Sequence, residues 1–180
     1  MNINALNQYI CGYVLDIYRD FCILLEREKK NEPLFFLRNF GNRYTKDFEN
    51  MNGRRWAHSF EKNGKLCVYV PVEIYPKEDI IKNIIHILIH ICNENQDIAE
   101  STNGKYHNKL FALKAQDFGI ECEYTRNYGW IFHTIPGSLK EDGLRIINRY
   151  YDDLITHAKL YIAMERARSE NLSPKSHNTL

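Results

Sequence analysis

The sequence has no Cys-x-x-Cys pair, and its cysteines are odd in number: Cys11, Cys22, Cys67, Cys92 and Cys122. That argues against a disulfide framework and against a four-cysteine zinc site, and leaves buried free thiols as the expectation. No apolar run reaches the roughly 20 residues that span a bilayer. The longest, from Ile80 to Cys92, is interrupted by Lys82, Asn83 and two histidines. The start, Met-Asn-Ile-Asn-Ala-Leu-Asn-Gln, lacks the basic and apolar blocks of a signal peptide, so a cytoplasmic protein without a membrane partner is expected. Neither charge sign dominates: 24 basic and 23 acidic side chains give +1. Nothing global therefore draws the chain to nucleic acid or to an acidic partner. Internal repeats and low-complexity blocks are absent as well.

What is present is an ordinary core-forming composition over 180 residues, 44% hydrophobic and 26% charged. A chain of this length buries a substantial core. Leu6, Ile10, Tyr13, Val14, Ile17, Phe21, Leu24 and Leu25 recur at helical spacing and predict a first helix, which the charged run from Glu26 to Lys30 ends. Residues 34–37, Leu-Phe-Phe-Leu, suit a buried strand. Two further strands are predicted: Arg54 to Phe60, between the turn dipeptides Asn52-Gly53 and Asn63-Gly64, and 65–75 after them. Pro71 places part of the latter strand at an edge or bend. Pro76, with Glu78 and Asp79 behind it, opens a helix over 76–93 that is apolar nearly all round. A shorter helix over 107–118 stops at Gly119. Residues 120–135 read as a hairpin turning at Asn127-Tyr128-Gly129. A long amphipathic helix over 139–168 and a polar, disordered tail over 169–180 complete the chain.

The segment His86-Ile87-Leu88-Ile89-His90 carries the chemistry. Seven isoleucines between positions 80 and 91 favour a strand by propensity. A strand would part the two histidines by about 13 Å. A helix brings them to about 6 Å on one face, and the Pro-x-Glu-Asp start selects the helix. Two buried histidines are costly unless their nitrogens find partners, and one metal ion partners both. Seventeen residues past His90 comes Gly104-Lys105-Tyr106-His107-Asn108, a loop that returns the chain and places His107 at the start of the next helix. Three protein ligands with one open position is the pattern of catalytic rather than structural zinc.

On His86, His90, the Gly-Lys-Tyr-His-Asn segment and the later Tyr128-Gly129-Trp130, the stretch from about 54 to 135 resembles the SprT-like domain, a family of small zincin-type zinc metalloproteases. The Tyr-Gly-Trp element is similar to one in members from bacteria and mobile genetic elements. The resemblance implies an α+β, zincin-like fold with a small sheet of about three strands packed on helices, 76–93 as the active-site helix, and one zinc ion on His86, His90 and His107. It implies a metal-binding domain over 1–138, followed by the C-terminal helix. Many family members carry a cysteine-rich zinc ribbon there, but no cysteine follows Cys122.

One departure bears on mechanism. The family's general base is the glutamate after the first histidine of H-E-x-x-H, and here that position is Ile87. Isoleucine neither accepts nor donates a proton, and general acid–base catalysis contributes about 10²–10⁴-fold. The expectation is a metal-binding protein of metallopeptidase ancestry, impaired or inactive as an enzyme, acting through a protein or DNA partner. An active metallopeptidase using Glu94, Asp97 or Glu100 as substitute base is one alternative; these carboxylates are also candidates to orient a ligand imidazole. Tyr106 is a candidate to face the metal and stabilise an oxyanion, or to pack beneath the loop.

A nucleic-acid-binding module with a structural metal is the other alternative. Residues 38–62 hold six basic and three acidic side chains interleaved with aromatics. Arg54, Arg55 and Trp56 are the candidate contacts there. His58, His133, His157 and His177 have no ligand-like spacing to the trio. Trp130 reads as core or as the wall of a groove.

Overall fold

The computed structural model describes residues 2–26, 32–38, 56–60, 65–72, 76–94, 101–102 and 106–172. Both turn dipeptides fall outside these residues, as do Arg54, Arg55, Asp97 and Glu100.

The chain is α+β. Helix α1 spans Ile3–Leu24 and starts where the Asn2 side chain accepts the Ala5 N–H at 2.9 Å. That cap satisfies one of the first-turn donors a helix cannot pair internally. Its buried stripe, Leu6, Ile10, Val14, Ile17, Tyr18 and Phe21, keeps the 3.6-residue period and faces the core. Past it, Glu26 adopts φ 51° as the chain turns away.

Strands β1 (Leu34–Arg38), β2 (Ala57–Phe60) and β3 (Leu66–Pro71) form a three-stranded mixed sheet in the order β1-β3-β2. β1 runs parallel to β3, with Leu34 opposite Cys67, and β2 runs antiparallel to it. β3 is central, so Pro71 does not mark an edge. It ends the strand, where the missing N–H interrupts no further ladder. Leu66, Val68 and Val70 on β3 belong to the core.

Helix α2, Lys77–Glu94, is buried nearly throughout: Ile81, Ile84, Ile85 and Ile89 are fully enclosed. Glu78 and Asp79 occupy its first turn, as expected. Asn83 is a buried polar residue with a clear task. Its Oδ1 accepts the Trp56 N–H at 2.7 Å, and its Nδ2 donates to the Asp79 carbonyl at 2.8 Å. The side chain thus fastens the entry of β2 to α2 and meets the buried polar demand of both.

A second sheet has four short strands: β4 (Ser101–Thr102), β5 (Tyr106–His107), β6 (Glu123–Thr125) and β7 (Gly129–Ile131), ordered β4-β5-β7-β6. Helix α3, Lys109–Gln116, lies between β5 and β6 in sequence. The hairpin predicted over 120–135 is β6–β7, turning at 126–128.

The single C-terminal helix predicted over 139–168 is instead two: α4 (Gly137–Asn148) and α5 (Tyr151–Leu172). Asp20 of α1 holds the joint. It receives the Tyr150 hydroxyl at 2.6 Å and the Arg149 guanidinium at 3.0 Å. Helix α5 also runs through residues 169–172, the start of the expected tail. It packs along α1, with the His157 ring 5.3 Å from Tyr9 and 5.6 Å from Tyr13. Where α4 meets α1 and α2, a Cβ on Gly143 would lie 2.9 Å from Phe21 Cζ and 3.1 Å from Ile81 Cδ1. Glycine lets the three helices approach that closely. Among the described residues no helix is long and apolar enough to cross a membrane, and all five cysteines are free thiols.

Candidate metal centre

His86 and His90 lie one turn apart on α2, and both are buried. The third histidine arrives from elsewhere than the sequence suggested. His107 does not open a helix; it is the second residue of β5. Asn108 explains the difference. Its side chain accepts the Leu110 N–H at 2.8 Å as an N-cap, so α3 begins at Lys109. The His107 N–H donates across the sheet to the Tyr128 carbonyl at 3.0 Å.

His107 pairs in register with Gly129 on the parallel neighbour β7. Gly129 has φ +71°, a conformation that favours glycine. A Cβ there would fall on the His107 carbonyl oxygen and stand 2.9 Å from its carbon and 3.1 Å from its nitrogen. The Tyr128-Gly129 pair thus does two things for His107: one carbonyl takes its N–H, and one absent side chain makes room for its backbone.

The three rings converge through their Nε2 atoms. His90 Nε2 lies 3.0 Å from His86 Nε2 and 3.3 Å from His107 Nε2. A proton on one of these nitrogens bridges a single pair. An ion accepting three lone pairs serves all of them. Bonds of about 2.0–2.1 Å at tetrahedral angles place neighbouring ligand nitrogens about 3.4 Å apart. The observed separations are close to that edge, so the trio could hold one metal ion. Ligand atoms of His86, His90 and His107 lie within 4.8 Å of one another, and among the described residues no carboxylate or thiol joins the group.

The surroundings are aromatic and apolar. Phe111, on the first turn of α3, is fully buried and stacks on the His107 ring at 4.0 Å between centroids and 16° between planes. It also lies 5.3 Å from the His86 ring and 5.4 Å from the His90 ring. Phe132 stands 6.4 Å from His86. Sequence reasoning missed both. Phe111 was detectable as an aromatic four residues after His107, in the first turn of the helix that follows it. Ile87 is 1% exposed and belongs to the hydrophobic core.

The remaining candidates lie apart from the trio or outside the described residues. Tyr106 precedes His107 on β5, and strand alternation sends it to the opposite face. Its hydroxyl sits 2.7 Å from that of Tyr124, which holds it above the ordinary phenol range. Glu94 is the last residue of α2, and its side chain lies outside the described structure, as do Asp97 and Glu100. Trp56 is 3% exposed and meets Phe35 edge-on at 6.3 Å, so its ring is core rather than a surface for bases. His133 bonds Glu123 at 2.6 Å, and His157 bonds the Asp153 carbonyl at 2.8 Å. Trp130 is half-buried beside Tyr124. No family model, curated protein or solved structure matches the chain.

Proposed function

We propose that this chain is a SprT-like, zinc-binding protein of metallopeptidase ancestry that has lost its catalytic base and acts by binding a protein or DNA partner. The observation that carries this reading is the pairing of a converged histidine trio with Ile87. His86 and His90 from one buried helix and His107 from a separate strand meet within ligand distance. The residue after His86, where a zincin has its glutamate, is a buried isoleucine.

Three neutral imidazoles suit zinc, and a bound zinc ion supplies a Lewis acid. His86, His90 and His107 would hold that ion, and Phe111 and Phe132 line their rings with hydrocarbon. Among the described residues, no carboxylate or thiol joins the trio to take and return a proton. Without general acid–base help, turnover falls by about 10²–10⁴-fold. The active-peptidase alternative needs a carboxylate from Glu94, Asp97 or Glu100, whose side chains lie outside the described residues. Of the nucleic-acid alternative's candidate contacts, the Trp56 ring is buried, and Arg54 and Arg55 lie outside the described residues.

Zinc-loaded protein, incubated with casein beside its Ile87→Glu variant, tests the reading. No cleavage by the wild type, with activity gained by a folded Ile87→Glu, is the expected result. Wild-type cleavage that disappears in His86→Ala would overturn the loss of catalysis.

A further inference from the structure

We infer that Phe111 is the positioning residue of the metal centre: its ring fixes the plane of His107 and the mutual arrangement of all three imidazoles. The inference rests on the reading of the trio as a metal site and concerns what makes that site competent.

The backbone alone does not orient these rings. The pairing of β5 with β7 locates the His107 main chain, and the helix locates His86 and His90. A histidine ring still turns about its last side-chain bond, whose preference is broad and roughly two-fold. A wrong turn of His107 would carry its Nε2 away from the other two. The His107 and Phe111 planes lie 16° apart with centroids at 4.0 Å, and that face-to-face contact leaves the imidazole one plane. Phe111 also meets His86 at 51° and His90 at 50°, so one aromatic ring lies against all three ligands.

Phe111 is itself held firmly. It is fully buried, and its N–H donates to the Asn108 carbonyl at 3.2 Å. The residue that caps α3 therefore also sets the height of the ring beneath His107. A leucine would fill much of the same volume, but it has no plane. The chemistry predicts that an apolar replacement preserves the core and loosens the ligands. Groups that orient metal-bound histidines are worth about 10–100-fold in metal affinity.

Cobalt(II) alone is the probe, titrated into wild type, Phe111→Leu, Phe111→Met and Phe111→Tyr. The readouts are affinity, the visible absorption of the bound ion, and the melting of each metal-free protein. Leu and Met are expected to weaken cobalt binding by about 10-fold or more and to alter the visible bands. At least one of the two is expected to melt near the wild type without metal. Tyr, which keeps the ring plane, restores both affinity and spectrum. Equal affinity and identical spectra in wild type and a folded Leu or Met variant would overturn the role of Phe111 alone. If neither folds, or if Tyr binds no better than Leu, Phe111 is a core residue and the inference fails. Absence of cobalt binding by folded wild type would instead overturn the metal site on which the inference rests.

Discussion

Gly129 and His107 lie backbone against backbone, so close that a methyl group on residue 129 would clash with the His107 carbonyl oxygen. That relationship explains a sequence element that is otherwise only a pattern. The chain uses Tyr128-Gly129 to seat the strand that delivers the third imidazole.

Gly129→Ala is expected to abolish zinc binding and to destabilise the fold more than Gly119→Ala does. Both glycines have positive φ, 71° and 69°. The left-handed conformation costs an L-residue about 1–2 kcal/mol at either place. At Gly119 the nearest atom to a new Cβ is Pro136 Cγ at 3.6 Å, an ordinary contact. The excess at Gly129 therefore reports the clash with His107. Thermal melts and zinc titrations of the two variants compare them directly, and equal effects would contradict the seating role.

Zinc should stabilise the protein, because an ion bound to the native trio has few organised ligands in the unfolded chain. At a free concentration 100 times the dissociation constant, the gain is about 2.7 kcal/mol. For a domain of this size that raises the melting temperature by about 5–10 °C. The same addition to His86→Ala should leave the melt unmoved. Equal shifts in both proteins would place the ion elsewhere.

Asn83→Ala should cost about 1–3 kcal/mol, since it removes the acceptor of the buried Trp56 N–H and a donor to α2. Urea unfolding measures this, with an unchanged slope expected. A loss below a few tenths of a kcal/mol would show that the Asn83 bridge does not hold β2 to the helix.

Glu78 gives a small pH dependence with a defined sign. Its carboxylate contacts Lys140 at 2.6 Å and Lys82 at 3.4 Å, tying α2 to α4. The Lys140 hydrogen bond is the main cause holding its carboxyl below the ordinary glutamate value of 4.5. A carboxyl depressed in the folded state stabilises fully above its unfolded pKa, and that contribution is lost as pH falls through the folded one. The pair is substantially solvated, so the effect is under about 1 kcal/mol. Glu78→Gln should flatten this part of the stability profile, measured by urea unfolding as pH falls below 4.5, and the two proteins should converge once the wild-type carboxyl is protonated in the folded state.

The parts of this architecture that the sequence announces are those set by local pattern. The stripe from Leu6 to Phe21 marked α1, Pro76 with its acidic neighbours marked α2, and the spacing of His86 and His90 placed both on one helical face. What local pattern missed was decided at a distance. The break after Asn148 depends on Asp20, which lies 130 residues from its partner Tyr150. β4 and β5 are two residues each, too short for any periodicity to register. The sequence predicts a helix from His107 because a good helix follows it, whereas the Asn108 cap and the parallel pairing with Gly129 put it on a strand. Phe111 escaped notice because a fully buried aromatic on a helix reads as core until the rings around it are located.

The most direct test is a zinc titration of metal-free protein by calorimetry, with His107→Ala alongside. The account predicts one zinc ion per wild-type chain and none on the variant while it remains folded. No uptake by folded wild type, or undiminished binding by His107→Ala, would contradict a centre built from His86, His90 and His107.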